Sequence, residues 1–150
     1  MFDTVLGLPV HTLVVHLVVV LLPLMSLVTM VVALVPRWRE RIAWLVVVAD
    51  AGMVLVTFVA RQSGLALQSR LGGRIAQEHA AIGINLIWFA IGLLAASVVV
   101  ALARRSRGGG ARLAAVLTLV AAVLTTWWTI RVGHTGADAV WKGIVQSTNK

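Results

Sequence analysis

The sequence predicts an all-α integral membrane protein, a bundle of four transmembrane helices in a single domain of residues 1–150. The chain is 60% hydrophobic and only 12% charged, with a mean hydropathy of +0.98. This composition is typical of membrane proteins. Each of its four long apolar segments is near or above the ~20 residues that a helix needs to cross the hydrocarbon core. The segments lack a period-2 alternation, which excludes a transmembrane β-barrel.

The predicted helices cover residues 10–35, 42–61, 79–103 and 111–132, and a short interfacial tail follows at 133–150. Pro9 suits the start of the first helix, where a missing N–H costs nothing. Pro36 is expected to end that helix and Pro23 to kink it. The tail is expected to form a turn and then a short helix. No internal repeat is evident along the chain.

The positions of the arginines predict how the bundle is oriented in the membrane. The connection at 36–41 carries three arginines, and the connection at 104–112 carries four. Because cytoplasmic connections are enriched in basic residues, both are predicted to be cytoplasmic, with both termini on the outer side. The net charge of +8 then reflects orientation in a bacterial inner membrane rather than nucleic-acid binding.

Four histidines fall at helix ends on this outer side: His11, His16, His79 and His134. A polar ring at the edge of the hydrocarbon is costly unless it is paired or bound. Imidazole is the commonest ligand of transition metals and also binds haem iron. The chain has no cysteine, which excludes thiolate metal sites and covalent haem attachment. The four rings therefore predict a bound haem b or another redox metal.

His16 and His79 are the predicted ligand pair, because a haem between helices needs rings on facing helices. Gly83 lies one turn from His79 on the same face, where a missing side chain would leave room for a flat macrocycle. His11 is about 140° around the helix from His16, so it is assigned a place beside the cofactor. The alternative for each histidine is an interfacial hydrogen bond to a carbonyl or a lipid headgroup.

Two other polar side chains stand out. Asp50 lies about 12 Å along the second predicted helix, near the middle of the membrane. A charged, unpaired carboxylate there is unfavourable by roughly 2.5 to 3.5 kcal/mol, so a protonated or hydrogen-bonded carboxyl is expected. It is interpreted either as a helix–helix hydrogen bond or as a proton relay towards the histidines. Arg61 is expected either to neutralise a haem propionate or to snorkel.

The ends of the chain carry short motifs: an opening Gly7-Leu8-Pro9-Val10-His11 with His16 beyond it, and a closing Gly133-His134-Thr135-Gly136. They resemble a family of uncharacterised bacterial four-helix membrane proteins, described as a predicted membrane domain of unknown function. The resemblance spans nearly the whole chain. Members of that family occur fused to, or beside, Rieske or cytochrome c modules, which implies respiratory electron transfer by association. The resemblance implies recurring polar positions, without an established role, at His11, His16, Asp50, His79 and His134.

The predicted function is electron transfer or quinol chemistry in a respiratory-type membrane complex. The alternative is a cofactor-free accessory subunit, held to a larger assembly by small-residue helix faces. One such stripe comprises Ala114, Thr118, Ala122 and Thr126. A metal-ion carrier ranks last, because only Asp50 suggests a polar path across the membrane. No motif of hydrolytic or phosphoryl-transfer enzymes is present, and whether the protein is itself an enzyme stays open.

Overall fold

The computed structural model describes residues 4–5, 8–70 and 76–148, without the side chains of 4–5, 8–9 and 142–147. Two short antiparallel strands come first, β1 (Thr4–Val5) and β2 (Leu8–Pro9). Five helices follow: α1 (Val10–Leu34), α2 (Pro36–Arg70), α3 (Gln77–Gly83), α4 (Leu86–Leu102) and α5 (Gly109–Thr148). Four spans are long and apolar enough to cross a membrane: Val10–Leu34, Pro36–Arg70, Gln77–Leu102 and Gly109–Trp141. The predicted all-α membrane fold is confirmed.

The helix ends differ from the predicted ones. The arginine-rich segment at 36–41 is the start of α2, because proline is favourable in the first turn of a helix. The third span is interrupted between α3 and α4. The predicted tail is not a separate helix, since α5 continues through Gly133 to Thr148. Glycine weakens a helix by only about 1 kcal/mol. Gly7 of the opening motif, and residues 149–150, lie outside the described residues.

The helices form a ring of four. α1 and α4 each pack against both α2 and α5, whereas α1 and α4 touch little and lie diagonally across the bundle. Buried apolar side chains such as Leu22 and Leu93 fill the centre. Large apolar side chains such as Leu45 and Trp88 are exposed on the outside. This is the distribution expected of a bundle that faces lipid, since lipid tails are as apolar as leucine.

The two helix hairpins repeat one another, which the sequence analysis missed. Five of the six buried residues of α1 have a buried counterpart 68 positions later in α4: Val18 and Leu86, Leu22 and Ala90, Thr29 and Ser97, Val32 and Val100, Ala33 and Ala101. Six of the eight buried residues of α2 likewise have a buried counterpart 72 positions later in α5, among them Val46 and Thr118, Asp50 and Ala122, Met53 and Thr125, Thr57 and Thr129, Ala60 and Val132. Both hairpins run in the same direction, so an approximate two-fold axis runs along the bundle, as in proteins built from parallel repeats.

The arginine-rich segments meet at one end of this bundle. Arg39 is buried, and its Nη2 donates a hydrogen bond to the Ser106 carbonyl oxygen at 3.3 Å. Beside them is an open cavity of about 580 Å³, lined by Glu40, Arg41, Arg104, Arg105 and Arg107. The histidines therefore lie at the opposite end, where α1 and α3 begin.

Candidate functional site

His11 is held against α2 by a small set of contacts. It lies in the first turn of α1, and its Nδ1 is 3.1 Å from the Ala60 carbonyl oxygen and 3.3 Å from Ser63 Oγ. A Cβ atom on Gly64 would be only 2.8 Å from His11 Cε1, so the ring rests directly on the backbone of α2. A carbonyl only accepts, so Nδ1 carries the hydrogen of the neutral ring, and Nε2 keeps a lone pair.

His79 is held in the same way against α5. Its Nδ1 is 3.0 Å from the Val132 carbonyl oxygen and 3.5 Å from Thr135 Oγ1. A Cβ atom on Gly136 would be 3.1 Å from His79 Cε1. The Val132 carbonyl can only accept, so the Nδ1 atom of His79 carries a hydrogen.

The two histidine sockets are equivalent. In each, the carbonyl of one residue accepts from Nδ1, the hydroxyl three residues on lies beside it, and the glycine after that supports the ring. The rings of His11 and His79 come from repeat-related helices and lie edge to face, with centroids 6.3 Å apart and planes at 66°. Equivalent residues in contact must lie at the two-fold axis, so the pair sits on the axis of the bundle.

The other two histidines lie elsewhere. His16 is exposed, and its Nδ1 contacts the Thr12 carbonyl oxygen of its own helix. His134 has a side chain that is 76% exposed, and its Nε2 lies 3.8 Å from Asp138 Oδ2. The structure thus brings His79 together with His11. His16, which the sequence predicted as the partner of His79, lies on a different face of α1. The angle of about 140° between positions 11 and 16 allows only one of them to face the axis.

Gly64 and Gly136 are the glycines that border the rings, and the sequence analysis missed both. Gly83 faces α5 instead, where an added Cβ would lie 3.8 Å from Val132 Cγ1, an ordinary contact. A signal was present in the sequence, because residues 57–64 and 129–136 share the pattern Thr-x-x-Ala/Val-x-x-Ser/Thr-Gly. The first threonine of each segment is buried and bonds the carbonyl four residues back at 2.7 Å.

Trp128 fixes the interrupted third span that carries His79. Its Nε1 donates to the Ile82 carbonyl oxygen at 3.0 Å, and its ring stacks on Phe89 with centroids 4.7 Å apart. The Ile82 carbonyl oxygen also accepts from the Asn85 backbone N–H at 3.2 Å, in the turn between α3 and α4. Trp128 adds a second donor from α5, which connects the end of α3 to that helix.

Arg61 and Asp50 lie at different depths. Arg61 is half-buried next to Ala60, and its Nε is buried without a hydrogen-bond partner in the described part of the chain. Asp50 is almost fully buried and ten residues from Ala60, or about 15 Å along α2. Its Oδ2 accepts a hydrogen bond from Thr29 Oγ1 at 3.0 Å, so the predicted helix–helix contact is present.

His11 and His79, the pair on the bundle axis, would offer two ligands to a metal. Over residues 4–5, 8–70 and 76–148, no group of three or more His, Cys, Asp or Glu side chains is placed to hold a metal ion. A structural zinc site uses four protein ligands and a catalytic one uses three. Haem iron would need fewer protein ligands, because the macrocycle supplies the others. Two imidazoles therefore match haem better than they match a bare zinc ion.

Comparison with known proteins identifies the family. A family model described as a predicted membrane protein (DUF2231) matches residues 7–149. Because this match covers nearly the whole chain, the protein belongs to that family. No curated protein and no solved structure matches the chain.

Proposed function

We propose that this member of the DUF2231 family binds haem b, or another redox metal, between His11 and His79 and carries electrons in a membrane complex. One observation carries the proposal: two imidazoles from repeat-related helices meet on the axis, and each is held by a hydrogen bond from its Nδ1 to a carbonyl oxygen. A metal-ligating histidine usually donates its second ring N–H to a carbonyl or a carboxylate, which orients the ring and raises its basicity.

The two rings lie close together, with their centroids 6.3 Å apart. At this separation, His11 and His79 would be able to hold one metal ion between them. Arg61, next to the carbonyl that holds His11, offers a cation for a haem propionate, with its Nε buried and without a partner among the described residues.

The site would transfer electrons across the membrane or along one of its faces. Basic residues cluster at the opposite end of the bundle, and the positive-inside rule makes that end cytoplasmic. The histidine pair would then face the outer side of a bacterial inner membrane. There it could exchange electrons with a Rieske or cytochrome c type protein or with a quinol.

The test is a dithionite-reduced minus oxidised absorption spectrum of the detergent-purified protein, with metal analysis of the same sample. A sharp α-band of a b-type haem supports the proposal, and stoichiometric copper or iron without that band supports the redox-metal form. A flat spectrum together with a metal-free sample from haem-replete cells would overturn both.

A cofactor-free subunit is the second candidate. Its support is that each Nδ1 is already hydrogen bonded, so the sockets also join helices without a ligand. The small-residue stripe is not free to bind a partner, because Ala114, Thr118 and Ala122 are buried inside the bundle. A subunit of this kind would contact its assembly through other faces, and the colourless protein would co-purify with larger membrane subunits.

A further inference from the structure

Among the residues that the structure describes, Asp50 is the one ionisable side chain deep in the apolar interior of the bundle. In the sequence, α1 beyond His16, all of α4, and α5 between Arg112 and Arg131 carry no ionisable residue. The charged groups of α2 lie at its two ends, on either side of residues 42–60. Asp50 is 1% exposed, and no counter-charge faces it from α1, α4 or α5 over that length. A carboxyl placed so deep is costly and marks a functional position by default.

The hydroxyl of Thr29 can donate its hydrogen either to Asp50 or to a carbonyl of its own helix. Thr29 Oγ1 is 2.8 Å from the Met25 carbonyl oxygen and 3.0 Å from Asp50 Oδ2, but it has one hydrogen to donate. The Ser97 hydroxyl is near Asp50 and donates to the Leu94 carbonyl oxygen at 2.8 Å. When both hydroxyls donate to their helix carbonyls, neither donates to the carboxyl. A hydrogen on the carboxyl then supplies the bond between Asp50 and Thr29.

The repeat shows that packing does not require this carboxyl. Ala122 occupies the position in α5 that corresponds to Asp50, and it is equally buried. Thr29 and Ser97 are themselves repeat-related, so the carboxyl between them lies on the bundle axis, as the histidine pair does. An alanine fills the same place in the second hairpin. Packing alone therefore does not explain why the first hairpin has an aspartate at this unfavourable position.

We propose that Asp50 is a proton-binding site, with one exchangeable proton held on its carboxyl between Thr29 and Ser97. In the loaded state the carboxyl O–H donates to a hydroxyl oxygen, and both hydroxyls donate to their helix carbonyls. On release, the proton passes to water and a carboxylate remains. The hydroxyls of Thr29 and Ser97 then turn and donate to it. The Oδ1 atom, buried without a partner in the described residues, gives the carboxylate a second acceptor.

This inference does not rest on a bound cofactor, so the two proposals can fail separately. The experiment is infrared spectroscopy of the protein in lipid vesicles, in H₂O and in D₂O, over a range of pH. The carbonyl stretch of a protonated carboxylic acid is separate from the carboxylate and amide bands. Exposed carboxyls do not contribute to it at neutral pH, because carboxyls in water ionise near pH 4.

We expect one such band at neutral pH in the wild type, shifted in D₂O and lost on alkaline titration. It should be absent in D50N and in D50A, the latter matching the second hairpin. The swapped variant D50A/A122D should restore it, because the carboxyl then returns to the axis from the other side. Absence of the band in folded wild type would overturn the proposal, and so would a band that neither shifts in D₂O nor titrates. A band that disappears on adding sodium chloride would indicate a sodium site instead.

Discussion

Ser63 and Thr135 occupy the same place in successive hairpins, each beside a different histidine. Ser63 Oγ lies 3.3 Å from His11 Nδ1, and Thr135 Oγ1 lies 3.5 Å from His79 Nδ1. Each hydroxyl follows the accepting carbonyl by three residues and precedes the supporting glycine by one. The two sockets are therefore equivalent positions of the two hairpins.

If His11 and His79 hold the cofactor as proposed, removing either one should strongly lower its content. H11A and H79A each delete one proposed ligand, which should cost at least as much as the loss of an outer-shell partner, so the haem content of the purified protein should fall at least roughly tenfold. The measurement is the reduced minus oxidised spectrum per mole of protein. H16A and H134A are the matched controls, because both rings are exposed and should leave the spectrum unchanged. A cofactor lost in H16A but kept in H11A would restore the pairing predicted from the sequence.

A methyl group on Gly64 should displace His11. The added Cβ would lie 2.8 Å from the ring, and such overpacking typically costs about 1 to 3 kcal/mol. We expect G64A to lower the Tm in detergent and to weaken cofactor binding. G52A and G92A are controls, because nothing lies within 4 Å of their added Cβ atoms. These should gain about 0.5 to 1 kcal/mol from the better helix propensity of alanine. Equal Tm values for G64A and G52A would contradict the tight socket.

Replacing Trp128 by phenylalanine should loosen the interrupted third span. The W128F substitution keeps an aromatic ring on Phe89 but removes the donor to the Ile82 carbonyl oxygen. A lost hydrogen bond of this kind costs about 1 kcal/mol. Amide hydrogen exchange at residues 80–86 should become faster in W128F. W88F serves as the control, because Trp88 is exposed, and unchanged exchange in W128F would show that the indole bond does not hold α3.

At the opposite end, Arg39 should contribute more to stability than Arg37. Arg39 is buried and bonds the Ser106 carbonyl oxygen, and hydrogen bonds to charged groups contribute about 1.5 to 3 kcal/mol. R39A should therefore lower the free energy of unfolding by about that amount. R37A alters an exposed side chain and should stay within about 0.5 kcal/mol of the wild type. Equal losses in both variants would assign the effect to net charge, not to the buried contact.

The spans could be predicted from the sequence because hydropathy over ~20 residues determines where a helix crosses a membrane. The choice of ligand pair could not, because it depends on the rotation of α1 about its own axis. Positions 11 and 16 point in different directions, and hydropathy is high on every face of that helix. The order of helices around the ring decides which face is central, and a single sequence does not contain it.

The repeat of the two hairpins is not evident in the sequence for a related reason. The first helices of the two hairpins correspond with an offset of 68 residues and the second helices with an offset of 72, so no single period exists. Only Val35 separates α1 from α2, whereas residues 103–108 separate α4 from α5. The shared residues are also degenerate, since Ala60 corresponds to Val132 and Ser63 to Thr135. Burial, which depends on position around the helix, reveals the correspondence more clearly than identity does.

Asp50 in the first hairpin corresponds to Ala122 in the second, so the two hairpins differ at a buried position. Two identical hairpins associating as a homodimer would bring two carboxyls to one point on the axis, where the ionisation of one carboxyl disfavours that of the other. Covalent fusion of the halves removes that constraint, since each half can then change alone. A symmetric pair of imidazoles and a single carboxyl on the same axis therefore require two hairpins of different sequence, which this one chain supplies.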